Sequence, residues 1–165
     1  MLRRATQADI DTLHRFVVEL ALAENFPGEV SATPADLDSA LFGPRPLAEA
    51  VVAEIDGEAA GFALYYSTYS TILGREGIHL EDLYVDDRYR GSGVGQHLLG
   101  HLADLASRRG CARLEWWVLR SNVHAIRFYQ RLRARGLDEI EVMRLEGAAL
   151  DGFGQASDPD RAAGT

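Results

Sequence analysis

The chain has 165 residues and a formal net charge of −8, from 17 Lys and Arg against 25 Asp and Glu. This length suits one domain with its own core, and the acidic balance argues against broad binding to a nucleic-acid backbone. No apolar run approaches the ~20 residues that cross a bilayer, and Asp9 and Asp11 disfavour a secretory signal at the start. Without such a run we expect no membrane partner. Cys111 is the only cysteine, so we expect no disulfide, no cysteine-bound metal and a cytoplasmic location.

Two helices are predicted at the start of the chain. Residues 6–24 carry apolar side chains at helical spacing, and Thr6 with Asp9 has the spacing of a capping box. The pair Thr33-Pro34 predicts the start of a second, short helix, since proline is favoured at the first helical position.

The period then changes to that of β-strands. Residues 50–55 and 59–69 form two apolar runs around the dipeptide Asp56-Gly57, which is a strong hairpin signal. A further turn at residues 74–77 leads into a strand over residues 78–85. Together these runs predict an antiparallel meander.

The second half of the chain alternates between helix and strand. We predict a helix over residues 94–109, a buried strand over 112–118, a short helix over 122–132 and a last strand over 139–145. The tail over 151–165 has too little apolar content to pack and is predicted to be disordered. The order of elements predicts a mixed α/β (α+β) layer with helices on both faces of one sheet.

A glycine-rich segment, Arg90-Gly91-Ser92-Gly93-Val94-Gly95, lies between a predicted strand and a predicted helix. Alternating glycines let backbone N–H groups approach an anion, and the helix start adds a positive end, so a diphosphate is the natural ligand. Arg88 and Arg90 can add charge. A plain tight turn is the alternative. Both nucleotide motifs fit poorly, because Gln96 stands where a dinucleotide loop has its third glycine and no Gly-Lys-Ser/Thr is present.

This segment resembles the (Arg/Gln)-x-x-Gly-x-(Gly/Ala) acetyl-CoA loop of the GNAT acetyltransferase superfamily. The order from meander to loop to helix to Asn122 and Phe128-Tyr129 is similar as well. Three further segments resemble the diamine (spermidine/spermine) acetyltransferase branch: Gly61-Phe62-Ala63-Leu64-Tyr65-Tyr66, Leu80-Glu81-Asp82-Leu83-Tyr84-Val85, and Glu19-Leu20-Ala21 with Glu24. The likeness implies a GNAT-like, largely antiparallel sheet with a central strand–glycine loop–helix, in a single acetyltransferase domain over residues 1–150.

The resemblance implies that acetyl-CoA is the cosubstrate, that no metal is used, and that the enzyme is a homodimer. The pyrophosphate would bind at the loop, the backbone of one strand would pair with the pantetheine arm, and an asparagine would border that arm. The implied cofactor-binding residues are Leu83, Tyr84, Val85, Arg90, Gly91, Ser92, Gly93, Val94, Gly95, Gln96 and Asn122.

Acetyl transfer to an amine requires two proton movements. An alkylamine with a pKa near ~10.4 must lose a proton before it attacks, and the departing thiolate, with a pKa of about 8.5, needs a proton donor. Glu81 is the candidate base, directly or through water, and Tyr129 matches the acid tyrosine of the related enzymes. Alternatives are a solvated strand edge for Glu81 and plain helix core for Tyr129. Since adjacent strand residues face opposite ways, Glu81 and Asp82 share a pocket only if a bulge distorts the strand.

The predicted acceptor is a primary amine of a small cationic substrate, which four acidic residues would bind: Glu24, Glu81, Asp82 and Glu115. Two departures leave a lysine-like amine open beside a polyamine. Ala23 stands where the diamine enzymes carry an aromatic residue, and Arg133-Ala134 replaces their glycine-alanine pair. A non-catalytic acyl-CoA sensor and a nucleotide-dependent oxidoreductase are the competing functions. The five histidines form no metal-ligand set, although His97 and His101 share a helix face.

Overall fold

The computed structural model describes residues 1–25 and 28–156. The chain divides after Val123 into two compact units, and each is described here by itself. The single domain over residues 1–150 therefore stays a prediction. Among the described residues, no helix combines the length and apolar character needed to cross a membrane.

The first unit is built on a five-stranded sheet. Its strands follow chain order: β1 (Leu2–Arg4), β2 (Glu49–Ile55), β3 (Glu58–Ser70), β4 (Arg75–Val85) and β5 (Leu114–Trp116). Neighbours from β1 to β4 run antiparallel, and β4 pairs with β5 in parallel. The predicted hairpin forms with Asp56 at φ 52° and Gly57 at φ 81°, the two left-handed residues that a tight two-residue turn requires. The largely antiparallel sheet is confirmed.

Three helices of the first unit cover this sheet. They are α1 (Ile10–Ala23), preceded by a 3₁₀ turn at Gln7–Asp9, then α2 (Pro34–Phe42) and α3 (Val94–Arg108). At the start of α2 the Thr33 hydroxyl accepts from the Asp36 N–H at 3.2 Å, and the Asp36 carboxylate accepts from the Thr33 N–H at 2.8 Å. These reciprocal bonds satisfy donors that the first helical turn leaves unpaired, so the predicted start is confirmed.

The helices lie on both faces of the sheet, as predicted. On one face Phe16 of α1 is fully buried, with its ring centroid 5.9 Å from that of Phe62 and 5.2 Å from that of Tyr84. On the other face Val94 of α3 packs so closely on Gly61 that a Cβ at Gly61 would lie 3.3 Å from Val94 Cγ1. Gly61 and Phe62 are consecutive strand residues and face opposite ways. This packing fixes the start of α3 against the middle of the sheet.

The second unit contains the rest of α4 (Val123–Arg131), which begins at the boundary, and α5 (Gly147–Ala156). The predicted strand over residues 139–145 is wrong, because these residues form neither helix nor strand. Alternating apolar residues favour a strand only where a neighbouring edge satisfies their backbone, and the described residues of this unit include no strand. The tail predicted from Asp151 begins inside α5, and residues 157–165 lie outside the described residues.

Candidate active site

β4 and β5 separate halfway along β4. Their parallel pairing runs from Ile78 opposite Leu114 to Leu80 opposite Trp116, where β5 ends. β4 continues to Val85, so no strand of the described residues pairs with residues 81–85 on that edge. An open strand edge presents backbone N–H and C=O groups that can bind an amide-containing chain like an added strand.

The glycine loop lies directly beyond the end of this open edge. Gly91 has a φ of 79° and Gly93 a φ of 90°, a left-handed backbone that favours glycine. Gly93 caps α3, and the first helical hydrogen bond runs from the His97 N–H to the Gly93 carbonyl at 3.0 Å. The N–H groups of residues 94–96 therefore have no helical acceptor. With no acid in the first turn, this helix start suits a phosphate anion.

The two arginines beside the loop, Arg88 and Arg90, differ in their hydrogen-bond and ion-pair partners. Arg88 donates from Nη2 to Asp86 Oδ2 at 3.0 Å and from Nη1 to Glu58 Oε2 at 2.9 Å, which ties the loop to the sheet. Arg90 is half-exposed, pairs with Asp87 at 2.7 Å and donates from Nε to the Val85 carbonyl at 3.3 Å. An exposed pair of this kind is worth at most about 1 kcal/mol, so Arg90 is the arginine that can turn to an anionic ligand.

An open cavity of about 730 Å³ lies between the second half of α1 and the segment that leads from β4 into the loop. Its lining residues are Arg15, Glu19, Leu22, Ala23, Tyr84, Asp86, Asp87, Arg88 and Arg90. The Tyr84 hydroxyl donates to Glu19 Oε2 at 2.9 Å. Burial, followed by this bond to Glu19, raises the pKa of Tyr84 to about 12. The Tyr84 side chain is thus held by α1.

A β-bulge brings the two adjacent acids of β4 together. Leu64 of β3 pairs with Asp82, while the next residue, Tyr65, pairs with Leu80, which leaves Glu81 as the extra residue. Asp82 lies opposite Leu64, which packs with α1 and α2. Glu81 Oε2 lies 3.8 Å from Nε2 of His79. The strand distortion that the sequence requires for a shared pocket is therefore present.

Three carboxylates meet at this bulge. Burial, followed by the negative charges of Glu81 and Glu24, raises the pKa of Asp82 to about 6. Glu24 caps the end of α1, and its Oε1 accepts a hydrogen bond from Asn122 Nδ2 at 3.3 Å. These neighbouring charges disfavour ionised Asp82 and favour a cation that neutralises the group. Asn122, which the sequence assigns to the cofactor arm, also contacts this acidic group.

Glu115, the fourth predicted substrate residue, is partly neutralised by its own strand. Its Oε1 lies 3.2 Å from Nε of Arg113, and its side chain is about one-third exposed. It lies opposite His79 in the parallel ladder, one strand away from the bulge. Its charge also contributes to raising the pKa of Tyr66, after burial and Glu81.

Sequence analysis missed an aromatic group beneath Glu81. His79 is only 5% exposed; its ring stacks on Tyr66 at 5.0 Å between centroids and meets Trp117 edge-on at 5.1 Å. One signal was available, because residues two apart in a strand share a face and His79 precedes Glu81 by two positions.

Tyr129, the candidate acid, belongs to the second unit. It lies in α4 with its ring centroid 5.3 Å from that of Phe128. Its carbonyl accepts from the N–H groups of Leu132 and Ala134 at 3.0 and 3.1 Å. Arg133, between those two donors, has a φ of 66°. These contacts define how α4 ends in a left-handed residue, which is the usual way for a helix to stop.

The open strand edge and the glycine loop before a helix have the arrangement expected of an acyl-CoA-binding protein, and comparison with known proteins agrees. The model of the acetyltransferase (GNAT) family matches residues 15–133. The chain belongs to this family. Its similarity to named N-acetyltransferases over most of its length makes it an enzyme of that class.

Relatives identify the branch of the family. Thialysine N-epsilon-acetyltransferase of Bos taurus is 37% identical over 161 residues, which cover 91% of this chain and 94% of that protein. Spermidine/spermine N(1)-acetyltransferase-like protein 1 of Homo sapiens is 32% identical over 147 residues, covering 85% and 21%. An integron cassette protein of V. cholerae superposes with a TM-score of 0.77 at 26% identity, covering 94% and 97%. The resemblance to the diamine branch is confirmed.

Proposed function

We propose that this N-acetyltransferase moves an acetyl group from acetyl-CoA to a primary amine of a small cationic substrate, either a polyamine or a lysine-like compound. One observation carries the proposal: Glu24, Glu81 and Asp82 interact at the bulge where the open edge of β4 begins. A polycation that enters this cluster relieves the repulsion between its carboxylates. Thialysine and the polyamines, which the relatives' names state, are amines of this kind.

The residues beyond the bulge fit acetyl-CoA, which when bound supplies the acetyl thioester. We assign its pyrophosphate to the backbone of residues 91–96, because the glycines are left-handed and the N–H groups of residues 94–96 have no helical acceptor. Arg90 would exchange Asp87 for a phosphate oxygen. We assign the amide-rich arm to the open edge over residues 83–85. Asn122 would border the arm from the side of Glu24.

Glu81 and Tyr129 would carry the two proton movements. Half of the Glu81 side chain is exposed, so its carboxylate can take a proton from the substrate ammonium, directly or through one water. The freed amine nitrogen then bonds to the acetyl carbon while the carbon–sulfur bond breaks. The Tyr129 hydroxyl would give its proton to the leaving thiolate, and the second proton of the newly acylated nitrogen would pass through solvent to restore that hydroxyl. Asp82 and Glu24 would bind the remaining positive charge, with Glu115 at a distance. The homodimer and the cytoplasmic location remain predictions.

A thiol-release assay tests this function. The protein is mixed with acetyl-CoA and one amine at a time: putrescine, spermidine, lysine, thialysine, an aminoglycoside or a peptide with a free N-terminus. Release with a small cationic amine supports the proposal and names its substrate class. Calorimetry with acetyl-CoA runs in parallel. Binding without release for any amine would favour an acyl-CoA sensor, and absence of both binding and release would contradict the proposal as a whole.

A further inference from the structure

We infer that His79 is a positioning residue for Glu81, holding the carboxylate of the candidate base in one orientation at the bulge. The inference rests on the proposed function, in which Glu81 accepts the proton. It starts from a buried ionisable side chain that the proposed chemistry does not use. His79 is 5% exposed and lies in the middle of β4, where apolar residues would be the usual choice.

Two aromatic neighbours fix the direction of the His79 ring. Tyr66 of β3 stacks on it with an interplanar angle of 26°, and Trp117 meets it at 76°. Rotation of the buried His79 ring would need Tyr66 to move, since buried side chains are close-packed, whereas Trp117 is 60% exposed and bounds the ring on one side only. Nε2 therefore keeps its direction, and the atom of Glu81 nearest to it is Oε2, at 3.8 Å.

Glu81 needs such support because the bulge leaves it without a ladder partner. The pairing passes from Leu80 to Asp82 on β4, and half of the Glu81 side chain is in solvent. A long side chain in that setting would sample several rotamers. Tyr66 contributes a second contact, because burial and then the charge and hydrogen bond of Glu81 raise the pKa of Tyr66. His79 and Tyr66 thus hold the carboxylate from the strand side, with its other side open to substrate.

The other charged groups around His79 do not compete for Nε2. Glu115 of β5 lies opposite in the parallel ladder, and its carboxylate is paired with Arg113 at 3.2 Å. On β3 the facing group is the Tyr66 ring. Glu81 is therefore the acid that the His79 imidazole positions. At 3.8 Å the contact is longer than a hydrogen bond and is therefore electrostatic, so it strengthens when the imidazole is protonated.

Two substitutions distinguish the effect of the Nε2 donor from that of the aromatic ring. His79→Phe keeps an aromatic ring between Tyr66 and Trp117 and removes the donor; His79→Gln keeps a donor near the position of Nε2. With the best amine of the panel, we expect His79→Phe to lower kcat about 10- to 100-fold, because misplacing a reacting group by about 1 Å costs that much. KM for acetyl-CoA should stay unchanged, and His79→Gln should recover most of kcat. An unchanged kcat in His79→Phe, or equal losses in both variants, would overturn the inference.

A second measurement needs no substrate and so separates this inference from the proposed function. Imidazole ¹⁵N NMR signals are compared at one pH between the native protein and Glu81→Gln. Because Glu81 Oε2 lies 3.8 Å from Nε2 and the substitution removes its charge, we expect the His79 Nε2 signal to shift in the variant. His14, whose Nε2 lies 2.8 Å from the Ala32 carbonyl, is the internal control and should not change. An unshifted His79 signal would show that the side chains are uncoupled, whether or not the enzyme acetylates any amine tested.

Discussion

Glu81 and Asp82 are consecutive residues of β4, yet the charge of Glu81 acts directly on the Asp82 carboxyl. The bulge explains this, because the ladder passes from Leu80 opposite Tyr65 to Asp82 opposite Leu64 and leaves Glu81 between them. In a regular strand the two carboxylates would face opposite sides of the sheet. Bulges re-aim side chains next to active sites, and here one lets two consecutive acids interact.

The first prediction concerns the free energy needed to keep Asp82 ionised in the folded protein. Its pKa is raised from 3.8 to about 6 in the fold, so the folded protein favours the protonated carboxyl. The stability that this preference contributes is fully present below pH 3.8 and is lost as the pH rises through about 6. We expect Asp82→Asn to unfold at higher urea concentration than the native protein at pH 8. The gain is at most about 3 kcal/mol, smaller at pH 5, and near zero below pH 4.

Urea unfolding of both proteins at pH 4, 5, 6 and 8 measures this difference. Asp56→Asn is the matched control, since Asp56 is exposed in the hairpin turn and asparagine suits that turn as well. The control should show no growth in stability difference between pH 4 and 8. A gain in Asp82→Asn that did not depend on pH would mean that burial and neighbouring acids do not act on its ionisation.

The second prediction concerns the glycine loop. Gly93→Ala places a Cβ on a backbone with a φ of 90°, which favours a shift of the loop out of its left-handed conformation. We expect affinity for acetyl-CoA, measured by calorimetry, to fall at least about tenfold, the equivalent of about 1.4 kcal/mol.

Gly100→Ala is the control for that change. Gly100 lies inside α3, and a Cβ there would meet no atom within 4 Å. Alanine is the better helix former by about 1 kcal/mol, so this variant should be more stable and bind acetyl-CoA as the native protein does. If both variants bound equally well, the pyrophosphate would not be held by this loop.

The third prediction tests the assigned acid. Tyr129→Phe removes one hydroxyl from α4, and we expect kcat to fall about 10²- to 10⁴-fold, the usual worth of a general acid. The calorimetric affinity for acetyl-CoA should stay close to that of the native enzyme. Tyr69→Phe, at an exposed position near the end of β3, is the control and should keep full turnover. Full turnover in Tyr129→Phe would remove the assignment.

The sequence predicts best what short-range chemistry decides. Thr33 and Pro34 fix the start of α2 through bonds within one turn, and the need for a bulge at Glu81 follows from the strand period alone. β1 could not be foreseen, because Leu2–Arg4 is a strand only through pairing with β2, about fifty residues further along the chain. Likewise residues 139–145 have a strand pattern but no partner strand among the described residues of their unit. The aromatic group beside Glu81 could not be foreseen either, because Tyr66, His79 and Trp117 come from three different parts of the chain.

The fourth prediction concerns the end of α4, where this chain departs from its relatives. The family commonly has a glycine-alanine pair where this chain has Arg133-Ala134, and Arg133 adopts a φ of 66°. A side chain in that conformation costs roughly 1–2 kcal/mol, which glycine avoids at some cost in unfolded-chain entropy. We expect Arg133→Gly to stabilise the second unit by about 0.5–1 kcal/mol, measured by amide hydrogen exchange in α4. Arg135→Gly, whose native φ is not left-handed, should give no gain. A loss of protection in Arg133→Gly would show that the arginine side chain, and not the backbone, sets the end of the helix.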